Sequence, residues 1–252
     1  MNRLSRATVI GLAFWIGAAF ADAPEVTPYR PTVSNPAALS APGLLELEAG
    51  VARSHDDRDT RQLSVPYLLK YAFTENFGVL LGGDAYLQQK DAFGNRITGF
   101  GDTEAQIKLR HELTENMALG LETGVRLATA RTGLGSEKSD YIVNGIFSAA
   151  GGGFNVDINL GYTRLGSVDA GQSHDEIDWA TAVSGKLGGP WGWATELSGT
   201  GQHNASSTTQ ALAALTYQPS RTLIFDLGVS RELKQPNETA VFGGLVILFD
   251  HR

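Results

Sequence analysis

The run Gly101-Asp-Thr-Glu-Ala-Gln-Ile-Lys-Leu-Arg-His-Glu-Leu113 constrains the fold more than any other stretch. Its even positions, Asp102 to Glu112, are all charged or amide-bearing. Its odd positions include Ala105, Ile107, Leu109 and Leu113. A period of two puts these sets on opposite faces of a β-strand. So many polar side chains on one face do not fit the core of a soluble sandwich, and the run is longer than such strands need. A strand with one face against lipid and the other in an aqueous lumen satisfies both facts.

The same alternation recurs along the chain. Leu45, Leu47, Ala49 and Val51 alternate with Glu46 and Glu48, and Phe154 to Tyr162 alternate with Asn155, Asp157 and Asn159. Reading each segment this way gives twelve strands. In the third, Phe77, Val79, Leu81, Ala85 and Leu87 are expected outside, with Asp84 and Tyr86 inside. Pro66 removes one ladder donor from the second strand and predicts a local bulge. Connections alternate between tight and long, as expected for short periplasmic turns and longer external loops. Lys70-Tyr-Ala-Phe-Thr-Glu-Asn-Phe-Gly78 recurs as Arg110-His-Glu-Leu-Thr-Glu-Asn-Met-Ala118, which supports a hairpin register. The expected fold is all-β: a transmembrane antiparallel up-and-down barrel of about 12 strands over residues 43–252. Tyr71, Phe73, Phe77, Phe154, Trp191, Trp193, Tyr217 and Phe249 predict an aromatic girdle at the periplasmic rim, and Tyr141, Tyr162 and Trp179 one at the outer rim.

Residues 1–23 read as a cleaved secretory signal. Arg3 and Arg6 precede the apolar run Ala7 to Phe20, and Ala21-Asp22-Ala23 fits the cleavage pattern. The run is short for a helical span. Residues 24–42 contain Pro24, Pro28, Pro31, Pro36 and Pro42, so they form a lead-in without regular structure, placed to tuck into the barrel mouth. The expected location is the outer membrane of a Gram-negative cell, with membrane lipid and a small solute as partners. The net charge of −7 and the lack of a basic cluster in the sequence argue against nucleic acid. With no cysteine, a thiolate metal site is excluded.

Chemistry belongs in the lumen. Twelve strands about 4.8 Å apart, tilted about 40°, enclose a radius of roughly 12 Å. Inward side chains fill much of that space. The lumen-lining candidates are Lys70, Asp102, Glu104, Lys108, Arg110, Glu122, Arg126 and Asp157. Opposite them Ala180, Ala182, Ser184, Ala194, Ser198 and Ala214 form a small-residue wall, so the passage is expected off-axis. Leu68, Leu80, Ile142, Ile146, Leu212 and Phe242 add inward apolar surface. If Leu113 pairs with Met117, Lys108 faces Glu122 and Glu104 faces Arg126, with each pair bordering water. His55, His174 and His203 sit on separate loops without metal-ligand spacing, so no metal or other cofactor is expected. A passive channel is the reading the residues favour. An outer-membrane lipid hydrolase and an inert structural barrel are the alternatives. Against the hydrolase, His111 is on the lipid side and faces Leu119, not a serine.

The segment Arg30-Pro-Thr-Val-Ser-Asn-Pro-Ala-Ala-Leu-Ser-Ala-Pro-Gly43-Leu-Leu-Glu-Leu-Glu-Ala-Gly50, followed by Phe100-Gly-Asp-Thr-Glu104, resembles the outer-membrane proteins of the MetA-pathway phenol-degradation, or "transporter", family. That resemblance implies an outer-membrane barrel linked to passage of small hydrophobic or aromatic compounds. Barrels often end on an aromatic residue, whereas Asp250-His251-Arg252 follow Phe249 here. The protein should partition with outer membranes and migrate faster on gels before heating than after. Recovery as a soluble periplasmic monomer would contradict the barrel.

Overall fold

The computed structural model describes residues 23–234 and 237–249. All but the last residue of the expected signal, and the terminal Asp250-His251-Arg252, lie outside the described residues.

Thirteen strands are formed: β1 (Leu45–Asp56), β2 (Arg61–Thr74), β3 (Phe77–Lys90), β4 (Arg96–Gly99), β5 (Thr103–Thr114), β6 (Met117–Leu127), β7 (Asp140–Gly151), β8 (Phe154–Arg164), β9 (Asp175–Gly188), β10 (Trp191–Gln202), β11 (Gln210–Ser220), β12 (Leu223–Glu232) and β13 (Glu238–Phe249). Twelve of them close an antiparallel barrel. Each pairs with its sequence neighbours, and β1 pairs with β13 over its whole length, from Leu45↔Phe249 to Asp56↔Glu238. Closure leaves no unpaired edge, which the hydrocarbon region demands. The thirteenth, β4, is a correction to the expected count. Arg96–Gly99 falls in one of the long connections expected at the outer end, but instead doubles back along the outer end of β3.

Five two-residue turns (75–76, 115–116, 152–153, 189–190 and 221–222) mark one end of the barrel. The repeated Thr-Glu-Asn explains two of them. The hydroxyls of Thr74 and Thr114 accept hydrogen bonds from the backbone N–H of Asn76 (3.2 Å) and Asn116 (3.3 Å), closing each turn in the same way. At 152–153 both residues are glycines at positive φ (60° and 86°), which suits the tight hairpin turns matching strand twist. The other end carries the longer loops 57–60, 128–139, 165–174 and 203–209.

The alternation sorts as expected over most of the wall. Leu109, Leu119, Leu121, Ile158, Leu160 and Leu227 are exposed on the outer face, while Lys108, Glu122, Asn159 and Asp226 are buried inside. Aromatic pairs border the short-turn rim, with Trp191 packed 4.8 Å from Tyr217, Tyr71 5.0 Å from Phe73 and Phe154 6.1 Å from Trp193. The outer half of β3 differs. A bulge falls opposite Pro66, where Val65 pairs with Tyr86 and Pro66 with Asp84, leaving Ala85 unpaired. One extra residue reverses the phase beyond it. Leu87, expected outside, is therefore buried inside, and Tyr86, expected inside, faces out.

Leu109 is exposed on the outer face, whereas Gln106 faces the lumen and hydrogen-bonds Glu104. Leu109→Arg should cost about 2–4 kcal/mol or block assembly. Gln106→Arg should leave refolding into lipid nearly unchanged. Refolding yields and urea titrations in liposomes measure both, and equal damage would contradict the facing.

Candidate functional site: the plugged lumen

Residues 24–42 enter at the short-turn end and fold back inside the barrel to reach β1. Val26 donates to the carbonyl of Arg221 in the β11–β12 connection, and Gly43 donates to Ala72 near the end of β2. A segment with five prolines makes no ladder of its own, so its backbone N–H groups need other acceptors. The inward carboxylates and amides of the wall supply them. Glu46 accepts from Thr27 N (3.0 Å), and Glu48 accepts from Tyr29 N (2.8 Å) and Arg30 N (3.0 Å). Glu196 accepts from Ser34 N (2.7 Å), Asn159 Oδ1 from Asn35 N (3.0 Å) and Ser148 Oγ from Ala37 N (2.7 Å).

Tyr29 sits at the centre. The Lys70 ammonium lies 4.0 Å from its ring centroid and that of Lys108 4.2 Å away, so the electron-rich ring attracts two like charges. Lys70 is paired with both Glu46 and Glu48. Lys108 is paired with Glu122 at 2.9 Å and donates to the Tyr29 hydroxyl at 2.6 Å. All of these side chains are buried. Arg30 reaches further, making two 2.9 Å hydrogen bonds to Asp226. Its guanidinium passes over the cross-strand pair Gly50↔Gly244, where an added Cβ would stand 2.7 Å or less from it.

The strand register agrees with the sequence reading at both charge pairs: Glu104 lies opposite Arg126 and Lys108 opposite Glu122. The expected pairing of Leu113 with Met117 does not form; Thr114 takes that place, and Leu113 is bulged out beside the turn. The surroundings of the second pair differ from expectation. Lys108 and Glu122 do not border water, because the plug covers them; a segment lying over the wall removes both from solvent. The Glu104–Arg126 pair stays half-exposed above the plug, and Arg126 also bonds Asp140 at 3.3 Å. Of the other candidates, Lys70 is covered by the plug. Asp102 accepts from Ala130 N (2.9 Å) and Ser136 N (2.6 Å), folding loop 128–139 inward. Asp157 accepts from Ser148 beneath the plug tip. Arg110 pairs with Glu112 near the short-turn mouth.

Around the plug the lumen is divided. A side chamber of about 650 Å³ lies above it, with an apolar wall (Pro66, Leu68, Leu80, Leu87 and the loop residue Leu134) facing Asp84, Asp102, Glu104 and Arg126. A vestibule of about 360 Å³ adjoins Val33 and Asn35 from the outer side, along Ala180, Ser198 and Gly161. Below, a cavity of about 660 Å³ runs between the plug and Ala182, Ser184, Gly192 and Ala194. The small-residue wall thus borders open volume on both sides, and the plug tip at residues 33–35 separates the two. Ser34 and Asn35 are clamped there by Glu196 and Asn159, and Asn35 Nδ2 donates to Glu122 at 2.8 Å.

Residues 29–247 match the family model described as "Putative MetA-pathway of phenol degradation". The chain belongs to this family. No curated protein matches it by sequence. Among solved structures it is similar to an outer membrane channel from Pseudomonas putida F1 (TM-score 0.65, 16% identity, 84% of this chain and 97% of that one). It is also similar to the NanC porin (0.59, 9%, 79% and 98%) and to the CymD monoaromatic hydrocarbon channel (0.55, 10%, 84% and 90%). At these identities the likeness establishes the family's barrel fold.

Glu46, Glu48 and Asn159 stand on the polar side of the sequence alternation but carry no role there, and Glu196 and Asp226 join them inside the barrel. Their signal was an excess of inward acceptors with few cross-strand donors. Tyr29, Arg30, Ser34 and Asn35 gave no signal, since their partners are up to 196 residues away.

Two outcomes follow from the buried cluster. Tyr29→Phe should cost about 1.5–3 kcal/mol by removing a hydrogen bond to a charged donor. Lys108→Met should cost about 3–5 kcal/mol, because Glu122 is left buried and uncompensated, and adding Glu122→Gln should recover much of it. Urea titrations of the reconstituted protein read all three; full additivity in the double variant would rule out the coupling.

Proposed function

We propose that this protein is an outer-membrane channel, exported with its signal at residues 1–23 removed. It carries small hydrophobic or aromatic solutes passively along an off-axis route beside the N-terminal plug. The observation that carries this reading is the pair of cavities along the small-residue wall, separated by the tip at residues 33–35. The upper chamber supports the solute class: its apolar wall takes a ring or short chain, while Asp84, Glu104 and Arg126 offer polar partners on the opposite side. The likeness to CymD, a monoaromatic hydrocarbon channel, is in keeping with that class. We infer no catalytic role. His111 pairs with Leu119 on the lipid-facing side, away from the lumen.

A liposome uptake screen comparing sugars, amino acids and monoaromatic solutes tests the assignment directly. Monoaromatics should enter fastest, and equal rates in protein-free liposomes would overturn it. Glu196→Ala combined with Asn159→Ala frees the plug tip and should raise single-channel conductance at least twofold. An unchanged conductance would place the route elsewhere.

Arg126 faces a vestibule that also holds Glu104, Glu176, Asp178 and Glu232. Removing the one cation there makes the local potential more negative. Arg126→Ala should therefore raise cation preference in reversal-potential measurements, and adding Glu104→Gln should restore much of the original value. Unchanged selectivity in a conducting barrel would remove these charges from the permeation path.

A further inference from the structure

The barrel gathers basic residues that are scattered along the chain into one row. Arg231 on β12 lies opposite Thr239 on β13, Thr239 opposite His55 on β1, and His55 opposite Arg61 on β2. Arg61 in turn lies opposite Lys90 on β3, and Lys90 opposite Arg96 on β4. These positions share the outward phase with Val229, Val241, Val51 and Tyr86, because the bulge opposite Pro66 has reversed β3 and turned Lys90 out. Arg53, one step nearer the apolar belt, faces outward opposite Leu63 and Val241. With strands about 4.8 Å apart, the row covers about 24 Å of the outer rim.

Like charges directly opposite on neighbouring strands repel. Arg61, Lys90 and Arg96 are three in succession. Among the described residues, Arg53, Lys90, Arg96 and Arg231 make no ion pair; Arg61 has one carboxylate, Asp59 at 2.9 Å, which also lies 3.9 Å from His55. Asp91, at the tip of the β3–β4 hairpin, spends its oxygens on Phe93 N, Asn95 N and Asn95 Nδ2. Asp56 and Glu238 lie opposite each other in the inward phase. On the far side of the rim the pattern is different: the outward Arg164 is neutralised by Asp175 at 2.7 Å. The outward strand cations of the arc from β12 to β4 thus lack carboxylate partners apart from Asp59, and they lie immediately above lipid-facing apolar residues.

We propose that this arc is a docking surface for the phosphorylated headgroup of an outer-leaflet glycolipid. Arginine forks on adjacent strands present paired donors that match phosphate oxygens. An anion there relieves the repulsion among Arg61, Lys90 and Arg96. The apolar side chains beneath, Val51, Val65, Tyr86 and Val241, meet the acyl chains of the same molecule, so the surface fits a lipid and not a free anion. The proposal rests on the outer-membrane location given above but is independent of channel activity.

The test uses the full mature chain, purified in detergent and titrated with bisphosphorylated lipid A under native mass spectrometry. Wild type should retain this lipid at least tenfold more tightly than the dephosphorylated form. Arg61→Gln/Lys90→Gln/Arg96→Gln/Arg231→Gln should lose that preference, Arg164→Gln should keep it, and millimolar inorganic phosphate should not displace the lipid. Equal retention of the two lipids by wild type, or an undiminished preference in the quadruple variant, would overturn the proposal. So would displacement by inorganic phosphate, which would mark a free-anion site. If the quadruple variant does not fold, the comparison of the two lipids on wild type still decides. Loss of conductance with lipid preference intact would count against the channel reading alone.

Discussion

Polar groups that face a narrow lumen must be matched, and the rest of the molecule follows from how this is done. The wall directs Glu46, Glu48, Glu122, Glu196 and Asp226 inward, more carboxylates than its own cations can answer. The chain answers them with the backbone N–H groups of a proline-rich segment and with Arg30. Each partner needs the other. The segment has no ladder to join, and the carboxylates lack enough cross-strand donors. A buried ion pair alone is weak evidence for stability, because desolvation offsets the attraction. Here the additional hydrogen bonds and the Tyr29 ring in contact with two ammonium groups make the arrangement specific to one position of the plug.

That specificity shapes the empty space. With the plug held on the β1, β2 and β5 side by Lys70, Lys108 and their glutamates, open volume is left against the small side chains of β9 and β10. Neither feature forms a passage alone. A plug on an evenly bulky wall would fill the barrel, and a small-residue wall without a plug would be part of one wide pore.

Much of this was legible in the chain. Period-two alternation is a local property, so it gave the strands and nearly all their facings. The Thr-Glu-Asn repeat fixed the β5–β6 register that puts Lys108 opposite Glu122. The failures have one form. A bulge changes phase by one residue, and although Pro66 marked where it would occur, no residue marked which strand would carry the extra position, so Leu87 and Tyr86 were placed on the wrong faces. The small strand β4 lacks a hydrophobic period and pairs where β3 runs on beyond its ladder with β5. The plug contacts and the basic rim are long-range. No window of the sequence contains a basic cluster, yet closure of the sheet brings Arg231, Arg61, Lys90 and Arg96 into one row.

The plug also touches both sides of the place where the first and last strands meet. Glu46 and Glu48 belong to β1, and Asp226 belongs to β12, just beyond β13; the Arg30 guanidinium crosses the seam over Gly50 and Gly244. A cylinder made from one ribbon is weakest where its two ends are joined, since only that ladder closes the circle. The N-terminal segment acts there as a staple. Parting β1 from β13 would have to break charged contacts inside the barrel as well as backbone bonds in its wall, so the same residues that narrow the lumen also hold the cylinder shut.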